Sequence, residues 1–221
     1  MSLGKSKAVG VVAALTALGA WSCLYFSLYG LPPRLDARPQ EALGEVVARE
    51  TLKLLSPGGH IILVTRDTVT FENPAVDAQI KSFQRTLARG GAQVTATNLI
   101  KLDPLRLATV PAGDFFQILK KASEADVIVS FLGPPALSPE QRAKLDEKKP
   151  KVIAVCTGGI PGQMNLKRIF EENLLQVAVI SRANATARAP ASDNAQAWFD
   201  HLYALVTPTN LSELPAVATK P

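Results

Sequence analysis

Apolar residues are distributed along the chain in two different ways. Residues 8–29 form one apolar run without a charged side chain, whereas the remainder alternates short apolar runs with amphipathic stretches. A helix rises about 1.5 Å per residue, so a helical run of this length crosses the ~30 Å hydrocarbon core of a bilayer. The pattern therefore predicts a single transmembrane helix over 8–29.

Aromatic side chains collect in the outer half of this run. Such rings favour the boundary between lipid headgroups and hydrocarbon. We therefore predict that this boundary is occupied by Trp21, Tyr25, Phe26 and Tyr29.

The flanks of the run leave its processing open. Lys5 and Lys7 precede it, as in the basic start of an export signal. The run is longer than the apolar part of most such signals, and no clean cleavage site follows it. An uncleaved anchor is therefore favoured over a cleaved signal or a lipoprotein signal at Cys23. The similarity to an export signal places the following domain outside the cytoplasm, in the periplasm, as part of a single-pass protein of the cell membrane.

The predicted organisation has five parts. A basic tail over 1–7 and the helix over 8–29 are followed by a proline-rich, extended linker over 30–40. An α/β domain follows over 41–207, and a loose tail over 208–221 ends the chain.

Short β-branched runs bounded by turn residues predict strands. They occur at 60–65, 93–100, 126–132, 152–156 and 177–180. The segments between these runs have apolar residues at helical spacing. A last helix, which begins before Trp198, extends to Leu205. Alternation of this kind predicts an α/β fold with one doubly wound, mainly parallel five-stranded sheet of flavodoxin-like or Rossmann-like order.

Two helix starts carry specific local signals. Asn73 precedes Pro74, which is typical of an N-cap followed by proline in the first turn. Ser138 and Gln141 have the spacing of a capping box. We predict that this second helix is short and charged and extends to about residue 149.

Ligands of doubly wound folds bind beyond the carboxyl ends of the strands. The loops at that edge offer hydroxyl, guanidinium, carboxylate and backbone N–H groups. The loop TGGIPG at 157–162 lacks the lysine and spacing of a phosphate-binding loop, so a structural turn is favoured there. The candidate ligand-binding residues are Thr65, Arg66, Asp67, Asn73, Ser130, Gly133, Thr157, Gly158 and Gly159.

Composition narrows the possible functions. The 221 residues carry a net charge of +5, but the lysines and arginines are scattered without interleaved aromatics, which argues against nucleic-acid binding. The two histidines, His60 and His201, belong to no cluster with metal-ligand spacing, and no GxSxG nucleophile elbow occurs. We expect no metal, no cofactor and no catalytic activity.

Several segments together resemble a known family. They are IILVTRD, the Asn73-Pro74 pair that opens a helix ended by glycines, QVTATNLI, ADVIVSFLG and KVIAVCTG. From about residue 60 to 158 the chain resembles the first lobe of type I periplasmic binding proteins, which bind sugars and amino acids. The resemblance implies a ligand contact for Arg66, Asp67 and Asn73. Members often have a ligand-stacking aromatic after the Asn-Pro pair, where this chain has Ala75 and Val76.

Two functions follow from these observations. The chain has length for one lobe, whereas the family closes two lobes around its ligand. We therefore predict first a non-catalytic accessory subunit, anchored in the bilayer, whose α/β domain docks on partner proteins or on further copies of itself. The alternative is a membrane-tethered module that binds a small polar or anionic solute.

Overall fold

The computed structural model describes residues 15–27, 36–67, 72–101, 109–146, 148–183, 185 and 189–214. The chain divides into two compact units, Met1–Asp36 and Ala37–Pro221. In the first unit, residues 15–27 form a helix, α1. Its aromatic side chains Trp21, Tyr25 and Phe26 are exposed. Tyr29, the fourth predicted interface residue, lies outside the described ranges.

The predicted transmembrane helix is described only in part. Residues 8–14 and 28–29 of the span 8–29 lie outside the described ranges. Among the residues that are described, no helix is both long enough and apolar enough to cross a membrane.

The second unit contains seven further α-helices and six strands in its described part. The strands are β1 (Ile61–Arg66), β2 (Val94–Ile100), β3 (Val127–Ser130), β4 (Lys151–Cys156), β5 (Val177–Ser181) and β6 (Tyr203–Val206). The helices are α2 (Arg38–Leu54), α3 (Pro74–Arg89), α4 (Ala112–Lys121), α5 (Pro139–Ala143), α6 (Ile160–Gln163), α7 (Leu166–Glu171) and α8 (Ala195–Leu202). A short 3₁₀ helix, Leu211–Glu213, follows β6.

The strands form one mixed sheet in the order β2-β1-β3-β4-β5-β6. All pairs from β2 to β5 are parallel, and β6 pairs antiparallel with β5. The first five strands have the flavodoxin-like order, in which the direction of strand addition reverses between β1 and β3. The predicted α/β class and mainly parallel sheet are confirmed, with one strand more than the five predicted.

The extra strand corrects the predicted last helix. Helix α8 ends at Leu202, and the next four residues form β6 instead of continuing the helix to Leu205. Tyr203 and Val206 are buried, and their backbones pair with Ser181 and Ala178 of β5. The free edge of β5 thus supplies hydrogen bonds that helical spacing alone cannot reveal.

Helices cover both faces of the sheet. One face packs against buried residues of α2, α3 and α8, including Leu43, Phe83 and Phe199. The other packs against α4, α6 and α7, including Phe115, Ile160 and Phe170. The sheet therefore lies between two apolar layers, and its strand ends are the places where polar groups can gather.

Two helix boundaries differ from prediction. The capping box of Ser138 and Gln141 is present, but α5 ends at Ala143, well before residue 149. In the loop TGGIPG, which is predicted to be a structural turn, residues 160–163 instead form α6, and the separate helix α7 begins after Asn165. The Asn165 side chain accepts a hydrogen bond from the Arg168 N–H and so begins a new helix. Asparagine at a cap competes with helix continuation, which explains the break.

Candidate functional site

The carboxyl ends of β1, β3 and β4 lie at the same edge of the sheet because these strands are parallel and adjacent. The strand order reverses between β1 and β3, which is the usual position of a ligand crevice in such sheets. The predicted candidate residues follow these three strands or end them. The fold therefore brings the three predicted loops to one edge, and residues 68–71 of the first loop lie outside the described ranges.

The last two residues of β1 carry polar atoms that lack partners. Thr65 is only 4% exposed. Its Oγ1 and the Nε of Arg66 are both buried and have no hydrogen-bond partner among the described residues. Because neighbouring strand residues project to opposite faces, the two side chains lie on either side of the strand end. Buried polar atoms are normally paired; among the described residues, Nε and Nη2 of Arg49 in α2 also lack a hydrogen-bond partner.

The next two candidates have structural roles at the same edge. The Asp67 backbone N–H donates to the Ile100 carbonyl at 2.9 Å, which extends the contact between β1 and β2. The Asn73 side chain accepts from the Val76 N–H at 3.2 Å and caps α3. The predicted cap is confirmed. The cap therefore engages the Asn73 side-chain oxygen.

Ser130 and Gly133 shape the loop after β3. Ser130 is fully buried, and its Oγ accepts from the Leu132 N–H at 3.2 Å. Gly133 has a φ of +84°, and a Cβ there would lie 3.2 Å from the Cδ1 of Ile160. A larger residue would be strained at this φ and would also crowd α6.

The loop after β4 is a tight turn into a short helix. Gly158 has a φ of +67° and is exposed, as is Gly159. Thr157 is half-buried, and α6 begins at Ile160. The preceding Cys156 is fully buried, and this burial raises the pKa of its thiol far above the ordinary value. An un-ionised thiol of this kind acts as a small apolar core residue.

Two surface grooves open elsewhere in the described part of the chain. One, of about 710 Å³, follows the outer edge of β2 beside α4, and the other, of about 360 Å³, lies between α5 and α7. None of the nine candidate ligand residues lines either groove. The polar edge at which the sequence predicts a solute site is therefore separate from both of these grooves.

An ion-pair cluster borders the smaller groove. Glu172 accepts hydrogen bonds from Arg142 at 2.9 Å and from Arg168 at 2.7 Å, which ties α5 to α7. Burial opposes ionisation of Glu172, but its bonds with the two arginines outweigh this effect and lower its pKa. The cluster therefore links helices α5 and α7.

The amino edge of the sheet has a polar cluster that sequence reasoning did not single out. Asp126 Oδ1 accepts from the His60 N–H at 2.8 Å and lies 3.1 Å from the His60 ring Nδ1. Asp126 Oδ2 accepts from the Ser123 N–H at 2.7 Å. Burial opposes ionisation of Asp126, but these bonds outweigh it and lower the pKa of the carboxyl. The sequence signal that could have indicated this cluster is an aspartate directly before a buried strand.

Metal-ligating side chains do not gather in the described residues. No group of three or more His, Cys, Asp or Glu side chains there is placed to hold a metal ion.

The fold is similar to that of sugar-binding proteins. No protein-family model and no curated protein matches the sequence. Among solved structures, AraP, an arabinose-binding protein from Geobacillus stearothermophilus, is similar with a TM-score of 0.53 and 16% identity over 80% of this chain and 63% of that one. A sugar-binding protein of a sugar ABC transporter from Bacillus halodurans is similar with a TM-score of 0.52 and 12% identity, over 80% of this chain and 64% of that one.

These matches confirm, at the level of fold, the predicted resemblance to type I periplasmic binding proteins. The chain spans less than two thirds of the length of either solved structure. Similarity at this level of identity concerns the fold and leaves the choice of ligand to the residues of this chain.

Proposed function

We propose that the α/β domain is a non-catalytic module that binds a small polar solute at the carboxyl end of β1, and that sugars are the class to test first. The observation that carries the proposal is the pair of buried, unpartnered polar atoms, Thr65 Oγ1 and Arg66 Nε. Both lie at the end of the strand next to the reversal of strand order. This is the position at which ligands bind in doubly wound sheets.

A solute hydroxyl would remove an energetic cost at this edge. Leaving a buried donor or acceptor unpaired costs about 1–3 kcal/mol. A hydroxyl group of a sugar can accept from Arg66 Nε or exchange a hydrogen bond with Thr65 Oγ1. Because the two side chains lie on either side of the strand, the solute would lie over the end of β1 and not within either groove.

The similar solved structures favour a sugar as the solute. The two proteins are described as arabinose-binding and as sugar-binding. Since this chain spans less than two thirds of either, the proposal concerns one wall of a ligand site. A solute held by one wall binds more weakly than one enclosed on several sides.

Fold and comparisons favour this alternative over the predicted accessory subunit. Neither supports docking on other proteins of a membrane assembly. Attachment of the module to the cell membrane through residues 8–29, with the domain on the periplasmic side, remains part of the proposal because that run is long and uncharged.

The test is isothermal titration calorimetry of the full chain in mild detergent with pentoses, including arabinose, hexoses and sugar acids. We expect one class to bind, and we expect Thr65→Val and Arg66→Lys each to weaken binding about tenfold, the effect of losing roughly 1.4 kcal/mol. Thr65→Val replaces the hydroxyl with a methyl group of similar size, and Arg66→Lys keeps the charge but removes Nε.

Thr51→Val is the matched control. Thr51 is equally buried, but its hydroxyl donates to the Val47 carbonyl at 2.8 Å, within α2. The control should bind as the unaltered protein does. Failure of every solute in the panel to bind, or undiminished affinity in both site variants, would contradict the proposal.

A further inference from the structure

Strand β2 ends the sheet and is unprotected over most of its length, since its register with β1 is irregular only at its start, between Val94 and Ala96. On its outer side no strand pairs with it in the described part of the chain. Its sequence, VTATNLI, has no charge, no proline and no glycine. Leu99 is 57% exposed. Natural edge strands are usually shortened, charged or interrupted by proline, because an open edge pairs readily with another strand.

Two residues of β2 have backbone groups that face away from the sheet. The Ile100 carbonyl accepts from Asp67 N–H, so the backbone of Ile100 faces β1. The register between β2 and β1 is regular from Ala96 to Ile100. Because peptide groups alternate along a strand, the N–H and C=O groups of Thr97 and Leu99 face away from the sheet. These groups have no partner among the described residues.

We infer that two copies of the chain pair antiparallel through β2. A twofold axis that passes through Asn98 relates the two copies. In this register Thr97 of each copy lies opposite the partner's Leu99. Hydrogen-bonded antiparallel pairs exchange two N–H···O bonds, so every outward group of Thr97 and Leu99 is satisfied. The two sheets become one continuous sheet. Because β2 carries no charged side chain, the two paired strands do not repel each other electrostatically.

Charges on α4 favour the antiparallel arrangement. The groove of about 710 Å³ beside β2 is lined by Asn98, by Asp114 near one end of α4 and by Lys121 at the other end. A twofold axis at Asn98 reverses the direction of α4 in the second copy. The two α4 helices then lie on the same face of the joined sheet, with Asp114 of one copy toward the partner's Lys121, whereas parallel pairing of the two β2 edges would place the α4 helices on opposite faces and lose this charge pairing. A twofold interface also closes on itself and gives a dimer instead of a filament.

A cysteine placed on the axis tests the register. In a full chain carrying Cys23→Ser, Asn98→Cys should give a disulfide-linked dimer under mild oxidation. Opposed residues in such a pair have Cα atoms about 4.5 Å apart, within the usual disulfide range of about 4.4–6.8 Å. The matched control is Ala96→Cys, whose two copies would lie about 14 Å apart at a rise of ~3.4 Å per residue.

The result expected is a disulfide-linked dimer from the Asn98→Cys chain and little crosslinking of the Ala96→Cys chain, scored on non-reducing gels. Absence of a crosslink in the Asn98→Cys chain, or equal crosslinking of both variants, would overturn the inference. Cys156 is buried and remains in both variants as an unreactive background.

Two further variants separate dimerisation from folding. Thr97→Pro removes an outward N–H and keeps the ladder to β1, because proline is tolerated at outward positions of edge strands. We expect the mass of the detergent-solubilised particle, measured by light scattering, to fall from dimer to monomer with unchanged circular dichroism. Asp114→Lys should weaken the dimer, and adding Lys121→Asp should restore it.

A Thr97→Pro chain that stays dimeric, or a charge reversal without effect, would contradict pairing through β2. The inference does not rest on solute binding, so its outcome is independent of the calorimetric experiment.

Discussion

At the residue scale, two buried threonines show how environment separates side chains that look alike in sequence. Thr51 donates its hydroxyl hydrogen to a carbonyl of its own helix. Thr65, at the end of β1, has a buried hydroxyl without a partner among the described residues. The first hydroxyl contributes to the fold, and the second has a cost in the absence of a solute. Residue type alone does not distinguish these two situations.

We therefore expect Thr65→Val to stabilise the solute-free protein, by up to about 1 kcal/mol, because it replaces an unpaired hydroxyl with an apolar group of the same shape. Thr51→Val should instead destabilise the protein by about 0.5–1.5 kcal/mol. Equilibrium urea unfolding of both variants gives the comparison. Equal destabilisation by both substitutions would show that the Thr65 hydroxyl is paired after all.

Asp126 is the buried carboxylate on which the amino edge of the sheet depends. Its side chain is only 8% exposed and contacts His60 and Ser123 through three short distances. The bonds hold the residues just before β1 and β3 together. A carboxylate in this position is stabilising only while it is ionised, because its lone pairs must accept from backbone N–H groups.

Asp126→Asn should lower the free energy of unfolding at neutral pH by about 1–3 kcal/mol. The folded-state pKa of Asp126 lies below its ordinary value. Its ionised form therefore contributes stability above about pH 3.9, and this contribution is lost as the pH falls through the lowered pKa. Denaturant unfolding from pH 7 to pH 3 should show the gap between wild type and variant narrowing in acid. A gap that stays constant over this range would argue against an ionised carboxylate as its source.

At the element scale, the contact between α2 and α3 depends on one glycine. A Cβ placed on Gly44 would lie 2.1 Å from the Gln79 carbonyl oxygen, so the two helix backbones touch there. Buried residues on both sides of this point, including Leu43 and Phe83, belong to the same apolar layer. Separation of the helices would therefore open the core on that face.

We expect Gly44→Ala to destabilise the fold by about 1–3 kcal/mol, as overpacking usually does. The matched control is Gly113→Ala in α4, where a Cβ meets nothing within 4 Å. That change should stabilise by at most about 0.5 kcal/mol, because Gly113 is the second residue of α4 and not in the middle of the helix. Thermal unfolding of the two variants measures the difference. If both alanines shifted the midpoint in the same direction, the close approach of α2 and α3 would be in doubt.

The predicted elements agree with the structure where the signal is local. The five parallel strands appear as β-branched runs, and the caps at Asn73 and Ser138 form as their residue types predict. Helix ends were less predictable, since α5 ends at Ala143 instead of near residue 149 and α6 forms in the loop predicted to be a turn. The free energies of a capped helix end and of a continued helix differ little, so tertiary packing determines where the helix ends.

At the scale of the whole molecule, the role of the N-terminal unit stays a prediction. Within the described residues, α1 is helical and its large apolar side chains are exposed. The uncharged run 8–29, of which α1 is part, is what predicts attachment to a membrane.

We expect the full chain to stay with membranes after alkaline carbonate extraction. Replacing Leu15 and Leu18 together with arginine should release it, because each arginine near the centre of a span costs about 2.5–3.5 kcal/mol on insertion scales. Immunoblots of pellet and supernatant give the answer, and Leu99→Arg in the second unit serves as the control for added charge. Full release of the unaltered chain would contradict the anchor.

The sequence by itself determined the elements whose signals lie within a few residues. These are the uncharged N-terminal run, the five β-branched strands that alternate with helices, and the side-chain caps. From them follows the α/β class, because parallel strands with crossover helices bury apolar runs on both faces. The pairing of β6 with β5, the open edge of β2 and the unpartnered atoms at the end of β1 were decided only by tertiary structure. Each depends on which backbone or polar group from a distant segment comes within hydrogen-bonding distance, and no local pattern of residues records that distance.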